Sequence, residues 1–117
     1  MISLELAKLL KEKGYPQTSR ISWYKHKFGA TTLLDDRIPD INTKYWKKTY
    51  AAPDLIDVLD WLEKEYGCTR LYLQRFTNDY IQAELITALT NGVSFGGGKT
   101  RLEAIENAVL KVLEGKK

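Results

Sequence analysis

Residues 69–95 read TRLYLQRFTNDYIQAELITALTNGVSF, and their alternation dictates the architecture of the second half of the chain. In Thr69–Gln74, Leu71 and Leu73 fall on one side, the two-residue period of a half-buried strand. Thr77-Asn78-Asp79 is turn chemistry, because short polar side chains bond to nearby backbone groups. From Tyr80 to Leu89 the period resumes, with Ile81, Ala83 and Leu85 on one side and Gln82 and Glu84 on the other. Asn91-Gly92 is a hairpin turn pair, and a short strand over Val93–Phe95 follows it. Three antiparallel strands in a meander are therefore expected.

Helices flank the meander. Pro53 suits a first helical position, and Asp54, Asp57 and Asp60 lie in the first half of the helix, where acids complement its positive end. Leu55, Leu59, Leu62 and Tyr66 recur at helical spacing, Val58 and Trp61 widen the stripe, and Gly67 ends it. After the meander, Leu102, Ile105, Val109, Val112 and Leu113 predict a second amphipathic helix.

The first half begins with another helix, capped by Ser3, striped by Leu6, Leu9 and Leu10, and stopped by Gly14 and Tyr15-Pro16. Aromatic and β-branched residues predict a strand over Arg20–Phe28 (RISWYKHKF), and Lys44–Tyr50 (KYWKKTY) is a second candidate. Gly29-Ala30 is a turn between them, and Asp35–Asn42 reads as a loop around Pro39. The expectation is one α+β domain over residues 1–117, a small antiparallel sheet of three to five strands covered by helices. The order is roughly α-β-β-α-β-β-β-α, with 51–115 the better-defined part.

Composition narrows the function. At 117 residues and 44% apolar content the chain can bury a core without staples. No apolar run approaches membrane-span length, and the start shows no basic-then-apolar signal pattern. One Cys and one His make a zinc site a poor fit, and a lone Cys68 suits a reducing cytoplasm. Net charge is +3, divided as +5 over residues 1–50 and −2 over 51–117.

The stretch NGVSFGGGKT, Asn91–Thr100, ends like a Walker A loop. That loop needs a glycine five residues before the Gly-Lys-Thr, where this chain has Val93. Thr100 and Glu103 instead form a T-x-x-E capping box, and the glycines let the last strand approach the helix. A residual reading keeps the Gly96–Thr100 turn as an anion-binding helix start or the centre of a small enzyme. His26 within KHK and Cys68 after Gly67 have no triad partners in sequence, so no catalytic residue, cofactor or metal ligand is assigned.

The segments WYKHKF (Trp23–Phe28) and KYWKKTY (Lys44–Tyr50) are more suggestive. If they are neighbouring strands, Trp23, Lys25, Lys27, Lys44, Trp46, Lys47 and Lys48 offer lysines to phosphates and rings to bases, as on single-stranded nucleic acid. The alternative is that the aromatics are core and the lysines solubilise an edge strand.

Three stretches carry a resemblance: SLELAKLLKEKGYPQ (3–17), YAAPDLIDVLDWLEKEYG (50–67) and TRLEAIENAVLKVLEG (100–115). Together they resemble small uncharacterised proteins encoded by phages and prophages of gut bacteria, and the second half is similar to the phage ABA sandwich domain. The resemblance implies that origin, a bacterial cytoplasm and an accessory rather than metabolic role. With no catalytic constellation among the residues, the expectation is a non-enzymatic protein that acts by binding, its partner a phage or host protein or, through the lysine and aromatic segments, a single-stranded nucleic acid. The resemblance assigns no site residues, and Ile21–Thr49 lies outside it.

Overall fold

The structure, a computed structural model, describes residues 2–37, 44–87 and 92–115. The fold is α+β, with helices and two three-stranded antiparallel sheets, and the chain divides into two compact units, residues 1–55 and 56–117.

In the first unit, α1 (Leu4–Glu12) starts where the Ser3 side chain accepts the Leu6 N–H at 3.2 Å, and Leu6, Ala7 and Leu10 are buried. Gly14, at φ 91°, takes the left-handed conformation that ends it. Strands β1 (Ile21–His26), β2 (Thr31–Asp35) and β3 (Trp46–Ala51) pair antiparallel in the order β2-β1-β3. β1 and β3 are neighbours, which their composition alone left open. β2 was not expected. Leu33 and Leu34 are adjacent and both half-buried, so the segment shows no alternation to betray a strand. Gly29, at φ 102°, makes the tight β1–β2 turn. The expected loop Asp35–Asn42 falls largely on residues 38–43, outside the described residues.

The second unit carries most of α2 (Leu55–Tyr66), which Gly67 closes at φ 69°, then the meander β4 (Cys68–Thr77), β5 (Tyr80–Thr87) and β6 (Gly92–Gly98). The expected meander is present. Leu89 and the Asn91 half of the hairpin turn lie outside the described residues. α3 (Arg101–Gly115) packs on β5 and β6. Its buried face is Ala104, Ile105, Ala108, Val109, Val112 and Leu113, whereas Leu102, placed in the stripe from sequence, is 59% exposed. The reason is the glycine strand. A Cβ on Gly96 would meet the α3 backbone at Ala108 N, at Ala104 O (2.5 Å) and at Asn107 C (2.6 Å). The helix thus sits against bare backbone through its alanines, and that close contact sets which face turns inward.

Opposite α3, Ile81, Ala83 and Leu85 of β5 are buried. Thr100 accepts the Glu103 N–H at 3.1 Å, so the GGGKT segment is a strand end and a helix cap. Among the described residues, no helix is long and apolar enough to cross a membrane.

Candidate nucleic-acid interface

One backbone contact brings the far end of β1 against the start of β3: the Lys27 N–H donates to the Tyr45 carbonyl at 2.7 Å. The His26 N–H donates to the Ala30 carbonyl at 2.6 Å and closes the β1–β2 turn beside it. The register sets Lys25 opposite Lys47 and His26 opposite Trp46. A groove of about 270 Å³ results, lined by Lys25, His26, Lys27, Lys44, Tyr45, Trp46 and Lys47.

The rings are organised around His26. Its Nδ1 accepts the Phe28 N–H at 3.1 Å, which fixes the ring. Trp46 meets it edge-on at 4.6 Å between centroids, Tyr45 lies almost parallel at 6.0 Å and 9°, and Phe28 is tilted at 5.3 Å. Phe28 is 82% exposed, so this is a surface cluster and not core. The Lys44 ammonium lies 5.8 Å from the Tyr45 centroid, within cation–π range.

No carboxylate among the described residues lines the groove. Lys25 and Lys47 are both exposed and directly cross-strand, an arrangement that costs stability between like charges. β3 is an edge strand, so Lys47 also discourages unwanted pairing. That explanation does not reach Lys25, which stands on the central strand. Lys47→Gln is expected to stabilise the fold by about 0.5 kcal/mol through relief of the pair, read by urea denaturation.

Five of the seven residues expected from sequence therefore meet at the groove: Lys25, Lys27, Lys44, Trp46 and Lys47. They gather at one end of the sheet, not along one face, because His26 and Trp46 share the face opposite to Lys25 and Lys47. The other two lie elsewhere. Trp23 is half-buried opposite Leu33 and Tyr50, and its indole N–H is buried with no acceptor among the described residues. A register shift between Trp23 and Tyr24 leaves Thr49 bulged, its hydroxyl donating to the Trp23 carbonyl at 2.8 Å.

Lys48 donates to Asp36 Oδ2 at 2.6 Å, and the same carboxylate accepts from Ser22 Oγ at 3.2 Å and Tyr24 Oη at 3.0 Å. Ser22 is fully buried, so this carboxylate serves the fold. Burial first, then the Asp36 hydrogen bond and charge, push the Tyr24 phenol above its ordinary pKa. Asp36→Ala is expected to cost about 2 kcal/mol, because a buried hydroxyl and an ammonium lose their acceptor. Urea denaturation beside Asp36→Asn, which keeps an acceptor, reads it.

Asp35, at the other end of the hairpin, pairs with Arg37 at 3.2 Å and Arg20 at 3.4 Å. The Arg37 side-chain and backbone hydrogen bonds hold its carboxyl below the usual range. Its contribution is present above the ordinary carboxylate pKa and fades as pH falls through the lowered value.

None of the remaining candidates lines the groove. Lys99 is exposed beside the Thr100 cap, and Asp54, Asp57 and Asp60 are exposed. No cluster of His, Cys, Asp or Glu among the described residues is arranged to hold a metal ion. Sequence reasoning gave His26 no partner and no role; its central place depends on the β1–β3 register, which no local pattern reveals. Comparison with protein-family models, curated proteins and solved structures produced no match.

Proposed function

We propose that this protein is a non-enzymatic binding protein whose ligand is single-stranded nucleic acid, held at the end of the first sheet. The observation that carries the reading is the groove: four lysines and the rings of His26, Tyr45 and Trp46, without a lining carboxylate among the described residues. Lysines meet phosphates in any sequence, and exposed flat rings accept unpaired bases, each worth about 1–3 kcal/mol by stacking. A duplex hides its base faces, so single strands are preferred. The wider setting we infer is an accessory role for a protein of phage or mobile-element origin in a bacterial cytoplasm. The motifs at 3–17, 50–67 and 100–115 support that origin.

A fluorescence titration with short oligodeoxynucleotides and oligoribonucleotides tests the reading. Quenching that weakens with salt, disappears in Trp46→Phe and persists in Trp23→Phe is the expected result, because only Trp46 lines the groove. No quenching at low salt would remove the nucleic-acid reading and leave a protein partner as the ligand.

A further inference from the structure

Phe28 stands at the β1–β2 turn, and at 82% it is the most exposed large apolar side chain among the described residues. Turn positions ordinarily go to glycine, proline, asparagine, aspartate or serine, which make the bend. Here Gly29, at φ 102°, makes it, so the turn itself does not call for a phenyl ring. Nor is the ring outside because the backbone is loose. Three successive N–H groups are engaged: Lys27 on the Tyr45 carbonyl at 2.7 Å, Phe28 on His26 Nδ1 at 3.1 Å and Gly29 on the His26 carbonyl at 2.8 Å. Both acceptor residues line the groove, so the turn is tied to its wall.

We infer that Phe28 is a second base-stacking platform: the single strand held in the groove runs on over the β1–β2 turn and lays a neighbouring unpaired base on this ring. The inference rests on the proposed function and extends its site beyond the groove. Phe28 does not line the groove, yet its ring centroid is 5.3 Å from that of His26, against which Tyr45 also lies at 6.0 Å. Each of these two exposed rings follows an exposed lysine in the chain, Lys27 before Phe28 and Lys44 before Tyr45. A single strand repeats one phosphate and one base per nucleotide, and two cation-and-ring pairs at neighbouring places match that repeat. No Asp or Glu occurs from Lys13 to Leu34, so this end of the hairpin offers an anionic chain no repulsion of its own. A protein partner fits less well, because lysine is depleted from the cores of protein interfaces and Phe28 stands among lysines.

The test is a titration of the full chain with oligodeoxythymidylates of increasing length. Phe28→Ala, and Phe28→Leu, which keeps an apolar contact for His26, are each expected to bind at least about fivefold more weakly, the lower end for one lost base stack. The salt slope should not change, because the ring meets no phosphate. The denaturation midpoint should not move either, since the ring is exposed. Trp46→Phe, which silences the groove, gives the direct readout: adding Phe28→Trp to it should bring quenching back. Binding by Phe28→Ala equal to that of the wild type, or an introduced indole that the oligomer leaves unquenched, overturns the inference. If Trp46 in the wild type is still quenched, only the extension fails and the groove reading stands; if neither indole responds, both fail. A Phe28→Trp indole that shifts to the blue on anionic phospholipid vesicles and ignores oligonucleotide makes the turn a membrane contact and overturns the inference as well.

Discussion

Gly96→Ala is expected to destabilise the second unit by about 3 kcal/mol, the upper range for overpacking, since both sides of the contact are rigid. The added methyl lands among the backbone atoms of Ala104, Asn107 and Ala108, none of which can swing aside as a side chain would. α3 must therefore lift from β6. That would loosen Ala104, Ala108 and Val109, all fully buried, and strain the Asn107–Gly97 hydrogen bond. About 3 kcal/mol is a large share of the roughly 5–15 kcal/mol that stabilises a typical domain. Chemical denaturation followed by circular dichroism reads it; a loss under about 1 kcal/mol would mean that α3 does not rest on the Gly96 backbone. The neighbouring glycines need not behave alike. The atoms nearest a Cβ at Gly97 belong to the end of the Tyr80 ring, and those nearest one at Gly98 to the flexible Glu103 side chain. Gly98→Ala should therefore cost much less than Gly96→Ala.

The second large effect concerns salt. If all four groove lysines contact phosphate, the logarithm of the binding constant should fall with that of salt at a slope of about −2.8, a loss of about 50-fold between 50 and 200 mM. Lys25→Gln with Lys47→Gln removes two of those contacts, so the slope should drop to about −1.4 and the loss to about 7-fold. Lys48→Gln is the control of most value. It is the sequence neighbour of Lys47, yet it stands on the other face and is engaged by Asp36. Its slope should stay at the wild-type value while the fold weakens. A drop at Lys48 equal to that at Lys47 would place the ligand elsewhere.

These contrasts indicate how far local pattern reaches. The meander was legible because Ile81, Ala83 and Leu85 alternate with polar residues over a sheet buried on one side. α1 and α2 were legible through Ser3, Gly14 and Gly67, whose effects act within a turn. β2 was not, because half-burial on both faces erases the period that would mark it. At the groove, the residue types in WYKHKF and KYWKKTY suggested lysines and rings for a nucleic acid. Which of them meet depends on how two segments twenty residues apart are aligned.

Helix and strand identity, the acidic and basic halves, and the glycine approach of β6 to α3 follow from periodicity and side-chain chemistry within a few residues of one another. Two things do not: that Lys47 joins the groove while Lys48 joins Asp36, and that His26 stands among the rings. Each rests on strand register, and a shift of one residue sends every side chain to the opposite face. Register is chosen by the burial of whole faces and by bulges such as Thr49, a cooperative balance among segments far apart in the chain.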